Sequence, residues 1–186
     1  MLLVRLADPG RDAAAVAAVY RPVVEETAIS FEEVAPDEQE MADRIRRTIP
    51  RLPWLVAERD GRLLGYAYAA PHRERAAYRW SVDISVYVAA ASRRIGVGRR
   101  LYEELLSVLR RQGYLNAHAG VTLPNEASEA LHREVGMTRI GVYRRVGFKQ
   151  GAWHDVAWFG MRLAEPDGAP VEPRSLAELS MSGAPP

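Results

Sequence analysis

The amino-acid sequence predicts an α/β or α+β domain with a mixed central β-sheet of about seven strands and about four helices. Stretches in which apolar and polar residues alternate, as in strands, follow one another with stretches in which apolar residues recur every three or four positions, as in helices. The length of 186 residues is that of one compact domain. The clearest strand and helix patterns adjoin each other between residues 78 and 112.

The first third of the chain is expected to contain a strand, two helices and a hairpin. Residues 2–6 alternate in polarity, and the helix after them is expected to begin near Arg11. Pro22 should kink or end that helix, because proline cannot donate a helical hydrogen bond. A second helix is expected to begin at Pro36 and to end near Thr48, since proline is common at the first helical position. A β-hairpin is expected next, formed by residues 54–58 and 63–70 with the turn Asp60-Gly61.

A strand, a glycine-containing turn and an amphipathic helix form the centre of the prediction. Residues 81–88 alternate strictly in polarity, and apolar residues recur every four positions from Val97 to Leu109. Gly96 and Gly98 lie where the helix begins, so its first backbone amides are unshielded. Such a helix start favours binding of an anion, and a phosphate group in particular.

The last third completes the sheet and ends in a tail. The remaining elements are expected, in chain order, at residues 116–122 (strand), 126–135 (helix, capped by Gly136), 138–146 and 152–163 (strands joined through residues 147–151). From Ala164 the composition changes to Pro, Gly, Ser and Ala. We therefore assign the domain to residues 1–163 and expect residues 164–186 to be mobile or draped over the surface.

The composition excludes several classes of function. A net charge of +1 gives no electrostatic reason to expect a nucleic acid or a membrane as partner, and no apolar run approaches the length of a membrane span. Zero cysteines exclude disulfides, thiolate metal sites and a cysteine nucleophile, and they fit a cytoplasmic location. The start of the chain does not resemble a signal peptide. No cluster has metal-ligand spacing: His154 and Asp155 are adjacent on a strand and face opposite ways, so no metal is expected.

The turn before the central helix is compared with three kinds of phosphate-binding loop. A P-loop requires Lys and Ser or Thr after its last glycine, but Arg99 follows Gly98. A dinucleotide fingerprint requires a glycine where Leu101 stands. The segment Arg93-Arg94-Ile95-Gly96-Val97-Gly98 instead resembles the coenzyme A pyrophosphate loop of the GNAT N-acetyltransferases. A glycine-rich helix start without a ligand is the alternative interpretation of this segment.

Further motifs narrow the resemblance, which covers roughly residues 3–163. Residues 123–128 and 131–137 are similar to a second block of the GNAT family. Residues 147–156 and the entry to the central strand, Tyr78-Arg79-Trp80, resemble the phosphinothricin and methionine sulfone/sulfoximine acetyltransferase branch. The resemblance implies the GNAT fold, acetyl-CoA as cosubstrate and a homodimer.

The resemblance also implies a set of cofactor-binding residues. The central strand would separate from its neighbour and offer free backbone groups to the pantetheine arm, and an amide near Val88 could stabilise an oxyanion. The turn and Arg99 would bind the pyrophosphate. Asn125 in the next helix would contact the cofactor, although it would also serve as a helix N-cap. The implied cofactor-binding residues are Val86, Tyr87, Val88, Arg93, Arg94, Ile95, Gly96, Val97, Gly98, Arg99, Asn125 and Ser128.

Two residues are candidates for catalysis. Asp83 lies on the polar face of the central strand, where this branch usually has glutamate. It could accept the proton of the substrate amine directly or through water, and a solvated strand carboxylate is the alternative. His132 occupies the helix position at which many relatives carry a tyrosine that protonates the departing thiolate. It could act as that acid, contact the substrate or make a structural hydrogen bond.

The loop before the central strand is the candidate substrate site. Arg73, Arg75 and Tyr78, with Arg79 beside them, stand in a region where this branch places a residue that binds a carboxylate. A solvated surface run, with Glu74 pairing locally, is the alternative. Three later residues could close the site or form a dimer contact: Lys149, Trp153 and His154. For Trp153, packing in the core is the alternative.

The sequence thus predicts an acetyl-CoA-dependent N-acetyltransferase acting on the α-amine of a small amino-acid analogue such as phosphinothricin, methionine sulfoximine or methionine sulfone. The same fold acting on a polyamine, an aminoglycoside or a peptide N-terminus is the first alternative. A non-catalytic acyl-CoA-binding module is the second, because aspartate replaces the usual glutamate.

Overall fold

The computed structural model describes residues 1–181 and contains a seven-stranded mixed sheet, as the sequence predicts. The strands are β1 (Leu3–Leu6), β2 (Trp54–Arg59), β3 (Arg62–Pro71), β4 (Ser81–Val88), β5 (Asn116–Thr122), β6 (Thr138–Lys149) and β7 (Ala152–Arg162). Their order across the sheet is β1-β2-β3-β4-β5-β7-β6. Only β4 and β5 pair in parallel, and every other neighbouring pair is antiparallel. The one parallel pair, β4 and β5, is the place where the sheet can open between two neighbouring strands.

Helices cover both faces of the sheet. Within the described residues they are α1 (Pro9–Glu26), α2 (Glu38–Thr48), α3 (Val97–Gln112), α4 (Glu126–Glu134) and a short α5 (Leu176–Met181). α3 buries its apolar stripe against one face, with Leu101, Leu105 and Leu109 inaccessible to solvent. α1 and α2 cover the other face, in a second cluster that includes Trp54 and Tyr66. None of these helices is long and apolar enough to cross a membrane.

The two N-terminal helices begin where aspartates cap them, which corrects the predicted starts near Arg11 and at Pro36. Asp8 accepts hydrogen bonds from the first free amides of α1, so that helix begins at Pro9. Asp37 accepts from the amide of Glu40 at 2.8 Å, so α2 begins at Glu38, two residues after the predicted Pro36. The prediction that Pro22 could end α1 is wrong, because the helix continues through it to Glu26.

The β6–β7 hairpin is longer than predicted. β6 continues to Lys149, so Gly147 to Lys149 belong to the strand and not to a connecting loop. The turn consists of Gln150 and Gly151 alone, with φ of +51° and +75°. Two left-handed residues are typical of the tight hairpin turns that follow the twist of the strands.

The segment after the domain lies over the surface and contacts it. The indole N–H of Trp80 donates to the carbonyl of Val171 at 2.8 Å, and the side-chain amide of Gln112 donates to the carbonyl of Arg174 at 2.8 Å. Leu179 of α5 is buried. Of the two descriptions that the sequence leaves open for the tail, these contacts fit the draped one. Its mobility stays a prediction, and residues 182–186 of the predicted tail lie outside the described residues.

Candidate active site

The site begins where β4 and β5 stop pairing. The two strands are in register only over three residues each, Ser81–Asp83 with Asn116–His118. Beyond Asp83, β4 remains paired with β3 and β5 remains paired with β7. The edges of β4 and β5 therefore have no hydrogen bonds to each other from Ile84 onward, and they leave a cleft in the sheet.

The backbone of β4 presents alternate residues to this cleft. The amide of Ala89 donates to the carbonyl of Leu64 in β3 at 2.9 Å. Successive residues of a strand direct their backbone groups to opposite sides, so Tyr87 also faces β3, whereas Val86 and Val88 face the cleft. This alternation argues against a backbone contact between Tyr87 and the pantetheine arm, and that contact stays a prediction. The side chain of Tyr87 packs against the core cluster under α1 and α2, with its ring centroid 4.8 Å from that of Tyr20.

The glycine turn lies at the open end of the cleft. Gly96 caps α3 with φ of +83°, a conformation that costs glycine little. A Cβ atom on Gly98 would lie 3.1 Å from the side chain of Leu131 and 3.6 Å from that of Val88, so glycine lets α3 approach both. Arg93 and Arg94 are exposed, and no residue of the described chain forms an ion pair with either. The turn thus joins free helix amides to two available positive charges.

Arg99, the third predicted phosphate ligand, is already engaged. Its guanidinium pairs with Glu103 and Glu134, each at 2.8 Å. These two carboxylates raise the pKa of Arg99 above its ordinary value. These two carboxylates balance the positive charge of Arg99, so the net positive charge of the turn rests on Arg93 and Arg94.

Asp83 lies at the root of the cleft and is bonded to a histidine. Its Oδ1 atom is 2.6 Å from Nδ1 of His72, which follows the end of β3. The Asp83 side chain is 29% exposed and that of His72 is 15% exposed. Burial raises the pKa of Asp83, although the hydrogen bond from His72 acts in the opposite direction. The carboxyl group is consequently a stronger base than an ordinary aspartate.

Arg73 reaches the same carboxylate, and Arg75 does not. Nη1 of Arg73 is 3.8 Å from Oδ2 of Asp83, and its guanidinium lies 5.7 Å from the ring centroid of Trp158. Tyr78 contacts His72 edge to face, with 5.7 Å between the ring centroids. Arg75 is exposed, and its side chain makes no hydrogen bond that caps the turn after it. Of the two predicted arginines, the structure brings Arg73 to Asp83.

His118 and Trp158 complete the cluster and were not singled out from the sequence. The ring of His118 lies 4.4 Å from that of His72, and burial lowers the pKa of His118. Nδ1 of His118 and Nε1 of Trp158 are buried without a hydrogen-bond partner. His118 stands opposite Asp83 in the parallel register, so its position could be found only from that register. Within the described residues, no three His, Asp or Glu side chains could hold a metal ion.

The model of the acetyltransferase (GNAT) domain matches residues 7–158, which is most of the chain. The chain belongs to the GNAT acetyltransferase family.

Individual relatives of this GNAT protein are similar over most of their length. It is 39% identical to a phosphinothricin N-acetyltransferase of Streptomyces viridochromogenes over 80% of this chain and 81% of that protein. It is 33% identical to an L-methionine sulfoximine/L-methionine sulfone acetyltransferase of Salmonella typhimurium, over 88% and 96% of the two chains. A crystal structure of a phosphinothricin acetyltransferase from Sinorhizobium meliloti in complex with acetyl-CoA superimposes with a TM-score of 0.86, at 33% identity and over 92% and 94% of the chains.

His132 of this GNAT domain lies in the core and not in the cleft. It is 3% exposed, and its Nδ1 donates to the carbonyl of Ser128 at 2.6 Å. Its Nε2 accepts from the hydroxyl of Tyr102 at 3.1 Å, since Nδ1 already carries the proton. Burial lowers the pKa of His132, which favours the neutral ring. Of the three roles that the sequence leaves open, these contacts are those of a structural hydrogen bond, and they argue against the catalytic role.

The start of α4 also uses its predicted residues internally. The side chain of Asn125 caps the helix by accepting from the amide of Ser128 at 3.1 Å. The hydroxyl of Ser128 lies 3.4 Å from Nδ1 of His132. The N-cap role of Asn125 is therefore present, and its contact with a cofactor stays a prediction.

The three later candidates lie on the β6–β7 hairpin. Nζ of Lys149 donates to the carbonyls of Val24, Ser30 and Glu32 at 2.6 to 2.7 Å, which links the last turn of α1 and the segment after it to the sheet. His154 faces the carbonyl of Lys149 at 3.0 Å. Trp153 is 52% exposed and is not part of the core.

Proposed function

We propose that this GNAT protein transfers the acetyl group of acetyl-CoA to the α-amine of a small amino-acid analogue of the phosphinothricin, methionine sulfoximine or methionine sulfone type. The observation that carries the proposal is the position of Asp83, at the root of the β4–β5 cleft and 3.8 Å from Arg73. A base and a cation side by side suit a substrate that carries an amine and an acidic group. The relatives named for these substrates support the same assignment.

The open half of the cleft is assigned to acetyl-CoA. The backbone groups of Val86 and Val88 that face the cleft hydrogen-bond the amides of the pantetheine arm. The first amides of α3, with Arg93 and Arg94, bind the pyrophosphate, and Gly98 allows the helix to approach the cleft. Acetyl-CoA supplies the activated acetyl group as a thioester.

The reaction needs a deprotonated amine. The α-ammonium group of the substrate has no lone pair, so it must lose a proton before it can attack the thioester carbonyl. Asp83 provides the negative charge that favours loss of this proton at the root of the cleft. The new N–C bond then forms, and the amide of Val88 donates to the carbonyl oxygen on which negative charge develops. The nitrogen loses its second proton to solvent, the C–S bond breaks, and the departing thiolate takes up a proton.

Arg73 is assigned to the acidic group of the substrate. Its guanidinium is held between Asp83 and the face of Trp158, and Nη1 donates to the carbonyl of His72 at 2.6 Å. The remaining donors of the guanidinium can bind a carboxylate, phosphinate or sulfonyl oxygen in a fixed direction. This side chain favours an anionic amino-acid analogue over a polyamine.

Thiol release from acetyl-CoA tests the proposal. The purified protein is assayed with phosphinothricin, methionine sulfoximine, methionine sulfone, spermidine and a peptide with a free N-terminus. We expect turnover on the first three that falls by about 10²- to 10⁴-fold in Asp83→Ala. Asp43→Ala, which removes a carboxylate from α2, serves as the control and should keep full activity. Turnover confined to spermidine or the peptide would overturn the substrate class, and acetyl-CoA binding without turnover on any amine would favour a non-catalytic module.

The homodimer is the second part of the proposal. Phe148 and Trp153 of the β6–β7 hairpin are 57% and 52% exposed and contact each other, with 5.4 Å between the ring centroids. Exposed aromatic pairs of this kind are typical of protein interfaces. Sedimentation should show a dimer that Trp153→Glu converts to a monomer, and a wild-type monomer would contradict this part. The cytoplasmic location stays a prediction.

A further inference from the structure

His72 lies in the site, and neither the sequence motifs nor the proposed function assigns a role to its side chain. It follows β3, and its backbone amide donates to the carbonyl of Ser81 at 3.3 Å, which continues the pairing of β3 with β4. This pairing places His72 on the same face of the sheet as Asp83, and the two side chains meet at 2.6 Å. The contact is thus set by the register of the central strands.

The hydrogen bond defines which nitrogen of His72 carries the proton. An ionised carboxylate can only accept, so Nδ1 of His72 is the donor to Asp83. The neutral ring then has its lone pair on Nε2. No residue of the described chain forms a hydrogen bond with Nε2 of His72, and the side chain is partly exposed. Nε2 is therefore a free acceptor at the root of the cleft.

The neighbouring side chains hold the ring of His72 in place and leave Oδ1 of Asp83 to it. The titratable or charged groups around the pair are His118 from β5, Tyr68 from β3, and Arg73 and Tyr78 from the loop after β3. His118 stacks on His72, and burial lowers its pKa, which favours its neutral form. Arg73 approaches the other oxygen of Asp83, Oδ2, and leaves Oδ1 to His72.

We propose that His72 and Asp83 act as a dyad in which Nε2 of His72 removes the proton from the substrate ammonium group. Asp83 stays ionised, orients the ring and stabilises its positive charge, and the imidazole extends the reach of this short carboxylate toward the cleft. The N–H bond of the ammonium breaks, the proton moves to Nε2, and the freed electron pair forms the N–C bond. The nitrogen that has attacked still carries one proton too many for an amide, and this second proton passes to solvent as the tetrahedral intermediate collapses. The C–S bond then breaks, and the thiolate receives a proton from the imidazolium through solvent. This inference rests on the proposed function.

The activity of His72→Asn on two kinds of amine shows whether His72 acts as a base or has only a structural role. His72→Asn keeps a donor to Asp83 in place of Nδ1–H but has no second basic nitrogen. We expect kcat/KM for phosphinothricin to fall by about 10²- to 10⁴-fold in His72→Asn. With an aminooxy or hydrazino analogue, whose amine is unprotonated at the assay pH, the loss should be less than about fivefold, because no proton has to be removed first. Equal losses for both amines, or no loss for either, would overturn the dyad.

A measurement without turnover distinguishes failure of the dyad from failure of the proposed function. The protein contains four histidines, so ring ¹⁵N and ¹H spectra can be assigned by comparison with His72→Asn. We expect the ring proton of His72 on Nδ1, strongly deshielded by Asp83, and expect this signal to vanish in Asp83→Ala. A proton found on Nε2 would overturn the dyad even in an active enzyme. An inactive wild-type protein that shows the Nδ1 proton would instead contradict the proposed function.

Discussion

Arg73 and Arg75 lie two residues apart and have different surroundings. Arg73 contacts Asp83 and the face of Trp158, whereas Arg75 is exposed beside the short turn that precedes β4. Position in the sequence does not separate these two side chains. Their roles follow from the direction that the loop takes after β3.

Replacement of each arginine by glutamine tests this difference. We expect Arg73→Gln to raise KM for phosphinothricin by about 10- to 100-fold, which corresponds to one lost charge-assisted hydrogen bond or ion pair. Arg75→Gln is the matched control, and its KM should change by less than about threefold, as for an exposed charge. Initial rates at saturating acetyl-CoA give both values. A larger rise in KM for Arg75→Gln than for Arg73→Gln would show that Arg75, and not Arg73, binds the acidic group of the substrate.

The buried His132 makes the free energy of unfolding depend on pH. Burial lowers its pKa below the ordinary value of 6.5, so the unfolded chain binds a proton more readily than the folded chain. The contribution of His132 to stability is thus fully present above about pH 6.5 and is lost as the pH falls through the folded pKa. The loss is at most about 1.4 kcal/mol for each pH unit.

Urea unfolding at several pH values below neutrality measures this contribution. In His132→Gln the free energy of unfolding should fall less steeply with decreasing pH than in the wild type. Tyr102→Phe removes the hydroxyl that bonds Nε2 but keeps the buried ring, so it should lower stability and keep the steep slope. An unchanged slope in His132→Gln would mean that His132 is not protonated on unfolding.

The start of α3 contains a glycine in the left-handed conformation beside the amides assigned to the pyrophosphate in the proposed function. Gly96 and Gly61 both have positive φ, of +83° and +76°, and a Cβ atom on either would meet no atom within 4 Å. Gly61 lies in the β2–β3 turn, away from the cleft, and Gly96 caps the helix whose amides are assigned to the pyrophosphate. A side chain would therefore cause similar backbone strain at both positions. The two positions differ in their distance from the proposed site.

Alanine at each position separates strain from binding. Both Gly96→Ala and Gly61→Ala should lower the free energy of unfolding by about 1–2 kcal/mol, the cost of a left-handed non-glycine residue. Only Gly96→Ala should weaken acetyl-CoA binding, by about tenfold, the effect of one charge-assisted hydrogen bond. Calorimetric titration with acetyl-CoA gives the comparison. Equal affinity in both variants would remove the turn from the binding site.

Across the molecule, the segment after β7 returns to the domain that precedes it. Gln112 is 1% exposed, and its side-chain amide donates to the carbonyls of Arg51 and Arg174. The backbone amide of Arg174 donates back to the carbonyl of Gln112 at 2.7 Å. Arg79 pairs with Glu172 beside the candidate substrate loop. These contacts connect the end of α3, the loop before β4 and the tail.

Deletion of residues 164–186 should therefore lower the melting temperature. Loss of the buried Leu179 and of the hydrogen bonds to Gln112 corresponds to about 2–4 kcal/mol, or about 5–10 °C for a domain of this size. Glu165→Ala, which changes an exposed residue of the same segment that makes none of these contacts, is the control and should have a melting temperature equal to that of the wild type. Calorimetry compares the two variants. Equal melting temperatures for both variants would show that the contacts of the tail contribute nothing to stability.

The sequence by itself determined the order and type of the main elements and the family. Alternation in residues 81–88, the stripe from Val97 to Leu109 and the glycines between them depend on local periodicity and backbone conformation, which a sequence displays directly. The same reasoning failed at Pro22 and at the end of β6. There, tertiary packing and a two-residue turn decided the boundaries.

Only the tertiary structure decided how the site is composed. Asp83 is local information, but its contact with His72 and its place opposite His118 depend on the register of three strands. His132 has the sequence context of a catalytic residue, and its burial and its hydrogen bond with Tyr102 argue against that role. Register and burial arise from contacts between residues far apart in the chain. The sequence therefore indicated the reaction, and the packing of the sheet determined which side chains are placed to perform it.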